Sequence, residues 1–439
     1  MADALPAAAE PSFVTLLAAH PRLARTPQGL TFDGVALDAI ADAVGTPAWV
    51  YSANTLLDRL GAFRGALAGI DHSIHFAMKA NANRAVLATL ATQGIGVDIV
   101  SAGELAAALH AGFAPETVVF AGVGKQPAEI EAALAAGILQ FNAESPAELE
   151  MLAAVATRMG RTAPVALRVN PDVEAGTHDK ISTGRLTDKF GIAAAEIPAL
   201  YSRLATTPGL RPAGLAVHIG SQITGLPGYR AAYARLADIA RALLAAGHAI
   251  PRLDCGGGLG IPYQGQPVPS PADYAAIVRE TLGPLPMPKM FEPGRWLAGP
   301  AGVLLASVVL EKVNEAHRFV ILDAAMNDLV RPSMYGAWHG ILPARADAFD
   351  APRTQADIVG PVCESGDRFA KARALPALAR GDRVVFLDAG AYGSVMSSTY
   401  NGRPLAAEVM VKDGEWAIVR PRQDIQDIFR AERLPPWLG

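Results

Sequence analysis

Residues 96–104 read G-V-D-I-V-S-A-G-E, a short apolar run that passes directly into a helix-start signal. Gly96–Val100 has the length and β-branched content of a buried strand. Ser101 and Glu104 have capping-box spacing, so the helix is expected to begin where the strand ends. The pattern recurs at Ile138–Asn142, followed by Ser145-Pro146 and Glu148, with proline at the first helical position. Ser270-Pro271 marks a third start, and the alanine-rich stretch Ala231–Gly247 is built of good helix formers. Working outward, the strand candidates are Ser73–Met78, Gly96–Val100, Thr117–Ala121, Ile138–Asn142, Pro164–Asn170, Gly214–Ile219, Arg252–Cys255 and Lys289–Glu292. Continuous apolar strands alternating with helices imply a parallel sheet covered on its outer face. Eight of them predict an α/β fold, a TIM-like (β/α)8 barrel.

After Pro300 the texture changes. Val303–Val313, Phe319–Asp323, Asp357–Cys363, Arg383–Asp388, Leu405–Lys412 and Trp416–Arg420 are strand-like, with little helix between them. Lys412-Asp413-Gly414 predicts a tight hairpin, because Asp-Gly tolerates the positive φ such turns demand. A second, all-β domain of barrel or sandwich type is expected over 298–439, with the (β/α)8 barrel over 46–297. The segment 1–45, with a strand at Leu30–Val35, is expected to pair into the β domain.

At 439 residues the chain exceeds one ordinary core. A hydrophobic content of 51% against 18% charged residues identifies a core-forming globular protein rather than a disordered one. The net charge of −4, without a basic tract, argues against nucleic acid and anionic membrane surfaces as partners. Leu297–Leu310 is too short to span a bilayer and contains Pro300. Met1–Ser12 shows no signal-peptide pattern, and two distant cysteines, Cys255 and Cys363, suggest a reducing cytoplasm without disulfides. Ligands for a structural metal are lacking.

Four polar motifs follow predicted strands, where a parallel barrel gathers its active site. F-A-M-K-A-N carries Lys79, H-I-G-S-Q carries His218 and Ser221, C-G-G-G-L-G spans Cys255–Gly260, and E-P-G-R spans Glu292–Arg295. Each has a plainer reading. A lysine at a strand mouth is by itself an ordinary snorkelling side chain, and Glu-x-x-Arg an ordinary salt bridge. A lone histidine is commonly a packed core residue. The glycine run lacks dinucleotide-fingerprint spacing, yet its bare backbone N–H groups suit an anion such as phosphate. Taken together, a desolvated amine able to attack an aldehyde, a carboxylate to hold a ring nitrogen protonated, and an anion nest suit a pyridoxal phosphate enzyme.

The chain resembles the alanine-racemase-like (fold type III) pyridoxal phosphate decarboxylases, and within them the diaminopimelate decarboxylases. The resemblance runs from about Thr31 to Phe429. It rests on the four motifs together with Asn170–His178, Lys189–Gly191, Ala325–Ala337, Gly360–Asp367 and Gly390–Asn401. It implies that Lys79 holds the pyridoxal 5'-phosphate as a Schiff base, that His218 packs on the ring and that Glu292 pairs with its nitrogen. It implies a phosphate site of Ser221, Gly257, Gly258, Gly294 and Tyr392, with Arg295 beside the cofactor. Arg295, Arg331, Tyr335, Glu364 and Tyr392 are implied for substrate, with Cys363 as proton donor. Phe76 stands where the family usually has tyrosine, and Ala325 where it has glycine; neither touches a proposed catalytic group.

The implied reaction is decarboxylation of meso-2,6-diaminopimelate to L-lysine. The implied assembly is a homodimer in which Cys363 and Glu364 reach across to the other subunit. Sibling decarboxylases of D-lysine, D-ornithine or carboxynorspermidine, a racemase of the same fold, a metal-dependent barrel aldolase or isomerase, and a non-catalytic pyridoxal phosphate carrier, which would resemble only the barrel, are the alternatives. Asn170–Gly191, long and polar after the fifth strand, is the candidate lid.

Overall fold

The computed structural model describes residues 10–174, 183–185, 188–315 and 317–438. The chain divides into two compact units, one of residues 56–261 and 267–298, the other of residues 1–55, 262–266 and 299–439.

The first unit is the barrel. Its eight parallel strands are His72–Ala77, Gly96–Ile99, Val118–Phe120, Gln140–Ala143, Ala163–Asn170, Leu210–Val217, Leu253–Asp254 and Lys289–Phe291. Each pairs with the next in chain order, and the ring closes where Met290 pairs with Ser73. The second, third, fourth and fifth strands are buried at every position. That follows from a sheet filled on its inner face and covered by helices on its outer one. Helices Ala102–Ala111 and Pro146–Arg158 start at the expected caps, where Ser101 and Ser145 hydroxyls accept the backbone N–H groups of Glu104 and Glu148. The two glutamates reach one residue beyond the cap, to the N–H groups of Val100 and Glu144. Helix Pro271–Thr281 has the full reciprocal box between Ser270 and Asp273. A polar line threads the interior: Arg252 donates to Gln140, Gln140 to Asn142, and Asn142 to Asp254. Gln140 and Asn142 are two residues apart on one strand, so both point to the same face.

The second unit is mostly strand. Its large sheet runs Arg368–Pro376, Arg353–Val359, His317–Leu322, Gly302–Asn314, Ala48–Ser52, Ala407–Lys412, Glu415–Arg420, with Arg383–Phe386 joining Gly302–Asn314 to Ile341–Pro343. The Asp413-Gly414 hairpin has positive φ at both residues (51° and 84°), as the pair predicts. Leu23–Thr26, Gly29–Phe32 and Val35–Ala36 form a small antiparallel sheet of their own, and it is Ala48–Ser52 that enters the large one. Two strand expectations fail: Leu30–Val35 is cut by a turn at Asp33-Gly34, both at positive φ (52° and 82°), and Asp357–Cys363 is displaced. Arg353–Val359 is the strand, and the chain leaves the sheet before Cys363. The cause is Asp367, whose carboxylate accepts the N–H groups of Val362 and Met326 and pulls residues 360–367 into a turn. Among the described residues, no helix is long and apolar enough to cross a membrane.

Candidate active site

A cavity of about 180 Å³ opens at the C-terminal ends of the barrel strands. Lys79, Asp98, Asn142, Arg168, His218, Asp254 and Glu292 line it, with Thr183 and Phe190 from the segment after the fifth strand. Each polar group ends a different strand, so the closed ring, not local sequence, brings them together.

Lys79 sits on the single 3₁₀ turn Met78–Ala80 that follows the first strand. Its Nζ donates to Asp98 Oδ2 at 2.6 Å. Asp98 is fully buried, and its other oxygen has no hydrogen-bond partner. The sequence reading expects a merely desolvated amine. The structure pairs it instead, with a carboxylate able to take a proton when the amine engages an aldehyde.

Glu292 faces the same space. Burial pushes its carboxyl well above the usual range, and the neighbouring Asp254 and Asp98 add to that. Asp254 is also raised by burial, held back by hydrogen bonds from Glu292, Asn142 and the Gly256 N–H. Two carboxyls sharing a dry site retain a proton between them. Glu292 Oε1 is buried without a partner, an acceptor set to receive an N–H from whatever fills the cleft.

His218 lies half-buried at the end of the sixth strand. Its Nδ1 accepts the Gly257 N–H (3.2 Å), so that nitrogen carries a lone pair. Burial, then the charges of Arg168 and Lys79, hold the imidazole well below its ordinary value, and the ring is neutral. Arg168 donates to Glu144 at 2.8 Å and stacks over Phe190. Glu144 also accepts the N–H groups of Gly122 and Gly191, tying three loops around the arginine.

The glycine run closes beside this cleft. Gly256 and Gly258 have φ of 64° and 100°, and a Cβ at Gly258 would stand 2.3 Å from the Gly220 carbonyl. At Gly294 a Cβ would press on Ala77 and Ala80 at 3.1 Å. Side chains are thus excluded where these loops pack closely at the strand ends, leaving bare backbone there. Arg295 opens the helical turn Arg295–Ala298 and donates to Ser221 Oγ at 3.1 Å. The Gly257 amide is engaged by His218, so of the glycines named for phosphate it has another partner.

The remaining predicted residues lie in the β unit. Arg331 and Tyr335 share one face of the short helix Arg331–Tyr335, four residues apart. Arg331 Nη1 meets His339 Nε2 at 2.7 Å, and its guanidinium lies over the Tyr263 ring. Cys363 is an exposed free thiol on the Asp367 turn. Glu364 accepts the Tyr400 hydroxyl at 3.1 Å. Tyr392 holds a positive φ of 56°. Of the expected lid and of the Asn170–His178 motif, residues 175–182 and 186–187 lie outside the described residues. Asn170 itself donates to the Arg185 and Phe190 carbonyls.

Residues 54–299 match the family described as pyridoxal-dependent decarboxylase, pyridoxal binding domain. A diaminopimelate decarboxylase of Zymomonas mobilis is 48% identical over 93% of this chain and 98% of its own length. That of Pseudomonas aeruginosa is 47% identical over 92% and 97%. Among solved structures, diaminopimelate decarboxylase from Helicobacter pylori complexed with L-lysine superposes with a TM-score of 0.87 at 37% identity, covering 90% of this chain and 98% of that one. This chain belongs to the diaminopimelate decarboxylase family.

The family's cofactor is pyridoxal phosphate, and the cleft suits it. It offers an amine for the aldehyde, a buried carboxyl oxygen without partner for the ring nitrogen, and a glycine cradle for the phosphate. Sequence reasoning passed over Asp98, Asn142, Arg168 and Asp254, which line this cleft, and Glu144, which holds Arg168. A signal existed for three of them. Asp98 in G-V-D-I-V, Arg168 in A-L-R-V-N and Asp254 in R-L-D-C are lone charges inside runs read as buried strand.

Proposed function

We propose that this chain decarboxylates meso-2,6-diaminopimelate to L-lysine and CO₂, with pyridoxal phosphate bound covalently at Lys79. The observation that carries the reading is the facing pair of Lys79 and Glu292 across one cleft, in a chain of this family. When bound, the cofactor supplies an electron sink for the pair left on the α-carbon as CO₂ departs. Glu292 would accept the ring N–H at Oε1 and so hold that proton on the ring nitrogen. Asp254 and Asn142 orient Glu292. Neutral His218 offers a flat, uncharged face for the ring, and a cation there would oppose the ring's positive nitrogen. Asp98 takes a proton from Lys79 and returns it. Gly258 and Gly294 bring backbone to the phosphate, with Ser221 and Arg295 beside it, and Tyr392 completes that group.

Arg295, Arg331, Tyr335 and Glu364 are assigned to the substrate. Its end remote from the reacting carbon bears both an ammonium and a carboxylate, which arginine and glutamate answer in kind. A substrate lacking either charge leaves one of them desolvated and unpaired, a loss of ~2–5 kcal/mol. Cys363, an exposed thiol, donates the proton that replaces the departing CO₂. Its place in the β unit, with Lys79 in the barrel, supports a homodimer with composite sites. The two free thiols support a reducing cytoplasm.

Purified protein is expected to be yellow, to lose that absorbance with borohydride, and to carry the reduced cofactor on the peptide containing Lys79. It should release CO₂ from meso-diaminopimelate with a far higher kcat/KM than from ornithine, arginine or lysine. A preference for any of those three overturns the substrate assignment, and a label elsewhere overturns the role of Lys79.

A further inference from the structure

His339 lies in the β unit, 2% exposed, eight residues after Arg331. Its Nδ1 is 2.8 Å from the Leu387 carbonyl oxygen, and its Nε2 is 2.7 Å from Arg331 Nη1. Neither partner leaves a choice. A carbonyl can only accept, so Nδ1 bears the hydrogen, and a guanidinium can only donate, so Nε2 offers its lone pair. The imidazole is thereby fixed as one neutral tautomer.

One more contact holds the ring itself, and two fix the backbone around it. Tyr263 packs edge-on at 5.4 Å between centroids while also lying beneath the Arg331 guanidinium. The His339 carbonyl accepts from Arg373 Nη1 at 2.8 Å, and Arg373 is itself stacked on Trp338. Leu387 is tied back by its own N–H to the Gly340 carbonyl. Histidine, tyrosine and backbone therefore form a rigid seat for one arginine.

The geometry points to His339 as a positioning residue for substrate specificity. Its neutral imidazole fixes the plane of the Arg331 guanidinium toward the substrate carboxylate remote from the reacting carbon. This rests on the assignment of Arg331 to substrate given above. The chemistry of the seat explains why histidine serves there. A carboxylate at the same place would orient the guanidinium equally well but would cancel its charge, weakening its pull on an anion. An imidazole lone pair orients without cancelling. A planar fork held at the wrong angle makes one hydrogen bond to a carboxylate where it should make two.

Two substitutions separate the two arms of the imidazole. His339→Asn retains a group at the Nδ1 position able to donate to Leu387 and removes the acceptor for Arg331. His339→Gln retains an acceptor near Nε2. The test uses holoenzyme, with KM and kcat for meso-diaminopimelate and inhibition constants for L-lysine, which keeps the remote carboxylate, and for cadaverine, which has none. His339→Asn is expected to raise KM and the L-lysine constant about tenfold, the scale of one charge-assisted hydrogen bond. The cadaverine constant should be unchanged and kcat within about twofold of wild type. His339→Gln should stay within about threefold of wild type in every constant, since it keeps the arm that matters. Equal weakening of L-lysine and cadaverine, or identical behaviour of the Asn and Gln variants, overturns the proposal. Arg331→Ala distinguishes the two levels. If it leaves L-lysine binding intact, the assignment of Arg331 fails; if it weakens L-lysine while His339→Asn does not, only the role of His339 fails.

Discussion

Glu292 shows most plainly how a residue can oppose the fold while serving the site. Its carboxyl is raised above the ordinary 4.5, first by burial and then by Asp254 and Asp98. A raised carboxyl keeps its proton in the folded chain at pH values where the unfolded chain has released it. Folding therefore loses stability as pH climbs above about 4.5, and none of that loss exists below it. Glu292→Gln removes the titration and can still hydrogen-bond Asp254. In cofactor-free protein the variant is expected to melt higher than wild type above pH 7, and equally near pH 4. In holoenzyme the same change should lower kcat by about 10²-fold, the scale for removing a preorganised electrostatic partner. Melting curves at the two pH values and steady-state rates check both halves. A variant less stable than wild type at high pH would mean that Glu292 is not strained there.

The second barrel strand makes a sharper case at the level of elements. Gly96 opens it, and an added Cβ would stand 2.2 Å from His75 Nδ1 and 2.3 Å from the Thr117 carbonyl. Those two atoms hydrogen-bond each other, tying the first strand to the 3₁₀ turn that leads into the third. The glycine therefore leaves the room that this tie needs. Gly96→Ala should cost about 1–3 kcal/mol by overpacking, read as a lower urea midpoint at unchanged m-value. Gly61 provides the contrast. It lies within helix Ala53–Ala66 with nothing within 4 Å of a new Cβ, and Gly61→Ala should stabilise by about 0.5–1 kcal/mol. Elements were legible to the same degree that they are locally determined. The barrel strands and the caps at Ser101, Ser145 and Ser270 were readable because burial on both faces and capping chemistry are written in adjacent residues. The strand Arg368–Pro376 was not, because its charges alternate with alanines and the positive φ of Ala372 (50°) breaks the two-residue period of its burial. Ala48–Ser52 escaped notice as a short run whose partners lie hundreds of residues away in sequence.

For the molecule as a whole, the question is which chain supplies which part of a site. Lys79 belongs to one unit and Cys363 to the other. If the sites are shared between subunits, mixing Lys79→Ala with Cys363→Ala protein yields heterodimers with one intact site each. After random exchange, activity should recover to about a quarter of wild type, since half the dimers are mixed and each has one working site of two. No recovery, with exchange verified by mass or fluorescence, would place both groups in the same chain.

The sequence alone determined the barrel, the mostly-strand character of the second unit, the family, and the residues that follow strand ends in quotable motifs. These are properties of neighbours along the chain: hydrophobic period, capping spacing, and a lysine or glycine run where a strand stops. Tertiary structure decided the rest. Closure of eight strands set Asp98 against Lys79 and Asp254 against Glu292, and drew Arg168 beside His218. The pull of Asp367 turned an expected strand into the exposed loop that carries Cys363. Electrostatic character depends on distances of a few ångström between groups remote in sequence, and only the folded chain sets those distances.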